Sequence, residues 1–444
     1  MTTTQSSSAV KQALLERLHR EIVPQLERLV EELPEHLADF AEAETHLRDG
    51  VQSIARRLLS VWGQVADTKV SRPCCSRCGV PMRHRGRPET GVATTVGEVR
   101  YRRPRWRCEG CGEERYPHDE VLRFLNHNVS WPLAKVCSRL AAQIPSLEEA
   151  STTLSDDYRG VHLAKETIRT IAEAAGRMVL EQDDAQRHRV MEREDPLPES
   201  NKTPEKVYVF ADGTTVHSAG DWHEIRVATV ATEDAAGNPL ERHSRARFLD
   251  VEDVGWTLLL LARGLGYQNA KQRAFIADGA AWLWKLQETF FGTATAILDW
   301  FHLAENVHKA ANAVFGLGSA EAREWSKRIK DELWEGRVEA ALNLVQPCLA
   351  RARSPTKRKS LQELVTYLQN NRQHMDYPRY RDLGLPIGSG QVEAQCKTLV
   401  GARCKQAGMR NWTYAGAEAI LRLRAARQDS TFDTLWDHRL MLAA

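Results

Sequence analysis

The chain has 444 residues, of which 42% are hydrophobic and 27% charged, and its formal net charge is +2. These values are typical of a folded globular protein with room for about two to four domains, and they exclude a disordered or fibrous chain. The sequence contains no run of eighteen apolar residues and does not begin with a secretory signal. We therefore expect a cytoplasmic protein without a membrane partner.

The first part of the chain, residues 1–70, is predicted to be helical. Apolar residues recur at helical spacing over 9–33, and a second helix is expected over about 37–65. These two helices either pack as a hairpin against the rest of the protein or serve as a dimerisation element. The sequence leaves both interpretations open.

Residues 71–120 contain two C-x-x-C pairs, each followed by glycine, which permits the tight turn that aims two thiolates at one ion. Four thiolates suit a structural Zn²⁺ ion, and the strand-like segment between the pairs predicts a zinc ribbon. Cys74 could replace Cys75, although its spacing is poorer. The predicted ligands are Cys75, Cys78, Cys108 and Cys111.

The strand-like segment between the cysteine pairs is rich in arginine. Residues 100–107, RYRRPRWR, mix cations with Tyr101 and Trp106, which suits contact with a nucleic-acid backbone, although a solvated surface is the alternative. The arginines predicted to contact DNA are Arg102, Arg103, Arg105 and Arg107.

A helix-turn-helix is expected within residues 121–180. Ser146 and Glu149 have the spacing of a capping box, a polar break follows at 156–160, and a second helix begins near Ala164. The second helix of such a motif can enter the major groove of DNA. Its predicted DNA contacts are Lys165 and Arg169.

A polar segment at 181–205 is interpreted as a linker, and β-branched and aromatic strands follow it. A meander of strands followed by strands alternating with helices predicts an α/β domain with a mixed sheet. The predicted strands lie at 206–217, 223–232, 242–250, 273–280 and 293–302, and the predicted helices between them at 253–265 and 281–290. The larger predicted regions are a catalytic region at 206–302, a helical block at 303–382, and a final region at 383–430 with one long helix.

Four acids in this domain have contexts that suit metal binding. Asp212 and Asp278 each follow an apolar strand within Ala-Asp-Gly, Asp299 ends another strand three residues before His302, and Glu393 begins a helix after Gly-Ser-Gly. Converging carboxylates could hold two Mg²⁺ ions that activate a nucleophile and stabilise a leaving oxygen. Cations near Glu393 would then receive the DNA backbone: Lys397, Arg403, Lys405 and Arg410.

The segments FADG, IADG, LDWFHLAENV and IGSGQVEAQCKTLVGARCKQAGMRNW together resemble ISKra4-type DDE transposases, over about residues 70–430. The resemblance implies an RNase H-like catalytic domain with a helical insertion before the final glutamate. It also implies Asp212, Asp278 and Glu393 as the catalytic triad. Asp299 and His302 would be supporting residues, although Asp299 is an alternative second acid.

The expected function is that of a bacterial, nucleoid-associated DNA transposase. It would bind the terminal inverted repeats of its insertion sequence, act as a homo-oligomer on double-stranded DNA, and catalyse cleavage and strand transfer. Two Mg²⁺ ions, for which Mn²⁺ can substitute, and a structural Zn²⁺ ion are the expected cofactors. The alternatives are a domesticated DNA-binding regulator and a structure-specific RNase H-like nuclease.

Overall fold

The computed structural model describes residues 2–31, 39–65, 72–122, 128–406, 409 and 411–440. The chain forms two compact units, the first comprising Met1–Ala175 with Thr434–Ala444 and the second comprising Gly176–Asp433. None of the helices in the described ranges combines the length and the apolar character needed to cross a membrane.

The first unit begins with two helices, α1 (Thr2–Glu31) and α2 (Phe40–Val65), which pack through Ile22, Leu29 and Ile54. This confirms the two predicted N-terminal helices within the described residues; positions 32–38 lie outside them. Further helices of this unit are α3 (Pro117–Leu122), α4 (Trp131–Gln143), α5 (Leu147–Asp157) and the beginning of α6 (Lys165–Met191).

The cysteine-bearing segment contains two small antiparallel sheets. β1 (Arg83–His84), β4 (Trp106–Arg107) and β5 (Glu114–Arg115) form one sheet in the order β1-β4-β5, and β2 (Glu89–Thr94) pairs with β3 (Gly97–Arg102) in a hairpin. Burial alternates strictly along β3 because successive side chains point to opposite faces. The cysteine pairs therefore flank a strand-rich segment, as the sequence predicts.

The predicted helix pair within 121–180 corresponds to α5 and α6. Ser146 caps α5, where its hydroxyl accepts a hydrogen bond from the Glu149 amide at 3.3 Å. The predicted linker is wrong for residues 181–191, because α6 continues to Met191. The polar residues there form ion pairs within the second unit: Asp183 contacts Arg422 at 2.6 Å and Asp184 contacts Arg247 at 3.0 Å.

The second unit is built on a mixed five-stranded sheet, which confirms the predicted α/β class. The first three strands form an antiparallel meander, and the last two run parallel to the first strand, so the order is β10-β9-β6-β7-β8. Apolar side chains cover both faces of β6: Phe210 belongs to one core and Val209 to the other. The elements are β6 (Lys206–Ser218), β7 (Asp221–Glu233), β8 (Pro239–Arg247), α7 (Val251–Gly264), β9 (Gln272–Ala277), α8 (Ala281–Phe290) and β10 (Thr295–Leu298).

A helical block follows β10, as predicted for 303–382, but it begins at Trp300. The expected single long helix after residue 390 is wrong, because the chain there forms short helical segments before one longer helix. The elements are α9 (Trp300–Phe315), α10 (Ala320–Trp334), α11 (Val338–Arg351), α12 (Pro355–Asn370), α13 (Tyr377–Asp382), α14 (Gly390–Gln395), a π-helix (Cys396–Gly401), α15 (Ala402–Cys404), α16 (Tyr414–Gln428), α17 (Phe432–Thr434) and a second π-helix (Leu435–Leu440).

One buried imidazole gives the second unit a pH-dependent stability. His374 stacks on Trp284 with ring centroids 4.0 Å apart, and burial lowers the pKa of His374 from 6.5 to about 4. Between pH 4 and pH 6.5, the unfolded chain binds more protons at this histidine than the folded chain does. The contribution of neutral His374 to the free energy of unfolding is therefore fully present above pH 6.5 and is lost as the pH falls toward 4. We expect the free energy of unfolding to fall by about 3 kcal/mol over this interval because of this group.

Denaturant unfolding of the full chain at several pH values, followed by tryptophan fluorescence, measures this loss. His374→Gln should flatten the dependence between pH 6.5 and 4, whereas the exposed control His188→Gln should keep it. An equal pH dependence in wild type and His374→Gln would contradict the assignment.

Candidate functional site

Asp212 lies inside β6 and not at the end of the strand, which corrects the sequence prediction. The side chain is half-buried: Oδ1 accepts a hydrogen bond from the Gly213 amide at 2.7 Å, and Oδ2 accepts one from the Cys396 thiol at 3.4 Å. Burial raises the pKa of Asp212, and the negative charge of Asp278 raises it further. This carboxylate is therefore held where additional positive charge would stabilise it.

Asp278 directly follows β9, as predicted, and is also half-buried. Phe210 of β6 pairs with Ile276 of β9 in parallel register, so the two aspartates occupy equivalent positions on neighbouring strands. Its Oδ1 accepts a hydrogen bond from the Ala280 amide at 2.8 Å, and the Tyr367 hydroxyl donates to its backbone carbonyl at 2.7 Å. The helical block thus supports the turn that carries Asp278.

Glu393 lies on α14, immediately after the Gly-Ser-Gly turn. The Ser389 Oγ lies 3.4 Å from Glu393 Oε1, and Lys397 Nζ lies 3.9 Å from Oε2. Cys396, three residues after Glu393, reaches Asp212 on β6. The acids at 212 and 393, distant in sequence, are therefore brought to the same side of the sheet.

Asp299 is fully buried and caps α9. Its Oδ1 accepts hydrogen bonds from the amides of Phe301 at 2.6 Å and His302 at 3.1 Å, while its Oδ2 accepts from both the amide and the hydroxyl of Ser389. Burial alone would raise the pKa of Asp299, but the hydrogen bonds from His302 and Ser389 lower it overall. Asp299 thereby ties the Gly-Ser-Gly turn to the end of β10.

His302 supplies a positive charge beside these acids. Its Nδ1 lies 3.5 Å from Asp299 Oδ2, and this interaction raises the pKa of His302 to about 9, with further contributions from Asp278 and Glu393. Asp299, His302 and Glu393 each offer a ligand atom within 4.8 Å of the others. To bind a metal, His302 would first have to release its proton, and both oxygens of Asp299 already accept hydrogen bonds.

Among the described residues, Asp212 and Asp278 belong to no group of three or more potential ligands that lie within 4.8 Å of one another. Asp212, Asp278 and Glu393 are half-buried, and the like charges of the two aspartates disfavour their joint ionisation in the absence of a cation. Mg²⁺ prefers a few carboxylate oxygens and keeps positions for water or phosphate. Sequence reasoning missed Ser389, Cys396 and Tyr367, although Cys396 could have been found because residues three apart share a helix face.

The cations expected near Glu393 have different environments. Lys397 and Lys405 are exposed, and Lys405 donates a hydrogen bond to the Thr214 hydroxyl on β6. Arg403 is 2% exposed and lies over the Trp412 ring at 4.9 Å, so its predicted place on a DNA-binding surface is wrong. Arg410 lies outside the described residues.

The four predicted cysteine ligands converge in the first unit: their sulphur atoms lie within 4.8 Å of one another. Gly79 and Gly112 follow the two pairs in left-handed conformations, with φ of 68° and 77°, as the tight turns require. Each glycine amide donates to the carbonyl of the first cysteine in its pair at 3.0 Å. Cys74 is exposed and does not belong to this group.

Several of the predicted DNA-contacting arginines and lysines in the first unit lie beside acids. Arg103 pairs with Asp119 and Arg105 with Glu114, whereas Arg102 and Arg107 are exposed. Lys165 and Arg169 are exposed, but each lies beside an acid: Lys165 contacts Glu148 at 2.6 Å, and Arg169 contacts Glu166 at 2.8 Å. Such exposed pairs are weak and can exchange an acid for a phosphate.

Comparison with known proteins gives one family. The model described as "Uncharacterised protein family (UPF0236)" matches residues 37–435, a range that includes the four converging cysteines and the acids at 212, 278, 299 and 393. No protein of curated function matches the chain.

Proposed function

Since the chain belongs to the UPF0236 family, whose description carries no activity, we propose from the site itself that it is a DDE-type DNA transposase. One observation carries the proposal: Asp212 and Asp278 occupy equivalent positions on adjacent parallel strands, and the segment bearing Glu393 contacts the first of them. Two half-buried aspartates on neighbouring strands, with a third half-buried acid on a helical segment that contacts one of them, suit metal-dependent phosphoryl transfer.

The architecture of the second unit supports an RNase H-like catalytic domain of the kind implied by the resemblance. An antiparallel meander leads into two parallel strands, and helices α9–α13 separate the last strand from the helix that carries Glu393. That helical block stands where the resemblance places an insertion.

Some of these side chains would bind the metal ions, and others position the helix that carries Glu393. Asp212, Asp278 and Glu393 would hold two Mg²⁺ or Mn²⁺ ions, which supply activation of the attacking hydroxyl or water and stabilisation of the leaving oxygen. Ser389 and Asp299 fix the beginning of the helix that carries Glu393. His302, as an imidazolium, offsets part of the negative charge and keeps Asp299 ionised.

In the first unit, we assign the four-cysteine group to a structural Zn²⁺ ion, because four sulphur ligands suit tetrahedral Zn²⁺. The exposed arginines of the ribbon and the helix pair α5–α6 would bind double-stranded DNA at the terminal repeats. The working form would be a homo-oligomer on DNA in the bacterial cytoplasm.

A strand-transfer assay with the purified full chain tests this function. The substrate carries the DNA that flanks the gene, in which terminal inverted repeats are expected, and a supercoiled plasmid serves as target. We expect Mg²⁺-dependent cleavage at the repeats and covalent joining to the plasmid, both abolished by EDTA. Cleavage of branched DNA without joining would instead indicate a structure-specific nuclease, and binding without any cleavage would indicate a DNA-binding regulator.

A further inference from the structure

A second cationic segment, residues 351–359 (RARSPTKRK), has no role in the site described above. It joins the end of α11 to the first turn of α12. Arg351, Arg353 and Arg358 are exposed, and their guanidinium groups have no hydrogen-bond or ion-pair partner within the described part of the chain. Unpaired guanidinium groups at the beginning of a helix form a strongly positive surface.

A groove of about 490 Å³ runs along α12, and Lys359 of this basic segment lines one end of it. Residues spaced three and four apart share one helix face, so the lining residues of α12 form a continuous strip. The groove ends beside the active site, because Gly279 follows Asp278 and Tyr367 donates to the Asp278 carbonyl. The main lining residues are Lys359, Gln362, Thr366, Tyr367, Asn370 and Gly279.

We propose that this face of α12 is a track for one strand of the DNA substrate, with phosphates bound at the basic end and nucleotides in the groove that leads to Asp278. The inference rests on the proposed function and specifies where the strand beyond the reacting phosphate lies. A groove of this volume accepts part of a single strand and not a duplex.

The lining chemistry favours a nucleic-acid strand over an acidic protein segment. Amide and hydroxyl groups of Gln362, Thr366 and Asn370 can hydrogen-bond to sugar and base edges without sequence preference. Glu363, the one acid among the lining residues, lies 3.9 Å from Lys309 and 4.0 Å from Lys359, so its charge is compensated by two lysines.

The helix geometry sets the length of the track. From Lys357 to Tyr367, α12 rises about 15 Å at 1.5 Å per residue. A DNA strand advances about 3.4 Å per nucleotide in duplex-like form, so the basic end lies about four nucleotides from the reacting phosphate. Strands shorter than this beyond the cleavage position would not reach the arginines.

Salt-dependent DNA binding tests the basic end. Arg353→Gln with Arg358→Gln should reduce the slope of log affinity against log salt by about 1.4 for a labelled single strand, since each phosphate contact contributes about 0.7. The matched control, Lys327→Gln with Arg328→Gln, removes two exposed cations from α10 and should leave the slope unchanged. Equal slopes for wild type and the α12 variant would overturn the proposal.

Cleavage of substrates with different strand lengths tests the path itself. The variant with both Arg353→Gln and Arg358→Gln should cleave at least about fivefold more slowly than wild type when the strand extends eight nucleotides beyond the cleavage position. When the strand extends only two nucleotides, this variant and the wild type should cleave equally fast. Thr366→Trp, an exposed position in the groove, should slow cleavage of the long strand without changing the salt slope. A defect independent of strand length would overturn the proposal. Absence of cleavage by wild type would count against the proposed function alone, because the salt slope needs no catalysis.

Discussion

Asp212→Asn, Asp278→Asn and Glu393→Gln should each lower the rate of DNA cleavage at least about a thousandfold, which corresponds to about 4 kcal/mol of transition-state stabilisation. The amides keep the shape of the side chains but lose the charge that binds the metal. DNA binding and the unfolding temperature should stay close to wild type, because the replaced carboxylates repel one another in the metal-free protein. Single-turnover cleavage and fluorescence anisotropy on the same labelled repeat measure the two properties.

Glu288→Gln is the matched control, since Glu288 is an exposed acid on α8 within the same unit. It should cleave at the wild-type rate. A variant at 212 or 393 that retains a tenth of wild-type activity in a highly purified preparation would remove that residue from the catalytic set.

The same series distinguishes Asp278 from Asp299 as the second acid. Asp299→Asn should destabilise the protein by about 3 kcal/mol as well as slow cleavage, because the fully buried carboxylate accepts hydrogen bonds from the amides of Phe301 and Ser389 that a neutral amide cannot all replace. Asp278→Asn should lose cleavage with little change in stability. If Asp278→Asn were active and Asp299→Asn inactive with a normal unfolding temperature, the assignment would pass to Asp299.

Removing the Zn²⁺ ion proposed for the four-cysteine group should unfold the cysteine-bearing segment, because binding of a structural Zn²⁺ contributes about 10 kcal/mol or more to the folding of such sites. Cys108→Ser should release the bound ion and expose Trp106, which packs beside the buried Cys75 and Cys108. Metal analysis, the fluorescence of Trp106 and limited proteolysis of residues 72–115 measure these effects.

Cys74→Ser provides the control for this prediction. Cys74 is exposed and outside the converging sulphur group, so its replacement should leave one metal ion per chain. If Cys74→Ser lost the ion and Cys75→Ser retained it, Cys74 would replace Cys75 as the assigned ligand.

Sequence alone predicted the strands and most helices of the second unit, since apolar periodicity and turn residues are local signals. It could not distinguish the two Ala-Asp-Gly segments. Gly279 lies two residues beyond the end of β9 and has a φ of 98°, whereas Gly213 pairs with Arg226 in a hairpin that extends β6 to Ser218. The difference depends on a partner strand that the tripeptide does not encode.

The candidate site shows the same limit. The residue types marked the acids, but the role of Asp299 depends on Ser389, which lies ninety residues further along the chain. Likewise, residues 181–191 have the composition of a linker and form a helix because distant arginines of β8 and α16 neutralise their aspartates. Arg403 was misplaced because its burial depends on packing against Trp412.

The separation of the proposed catalytic acids along the chain has a consequence for biosynthesis. The ribosome synthesises Asp212, Asp278 and the whole helical block before it reaches the segment that carries Glu393. A nascent or prematurely terminated product that stops before Ser389 would contain the ribbon and the paired helices but no complete site for cutting DNA. Under the proposed function, a nonsense mutation in the helical block would therefore produce a truncated protein that binds the terminal repeats without cutting them. This truncated protein would compete with the full-length enzyme for the repeats.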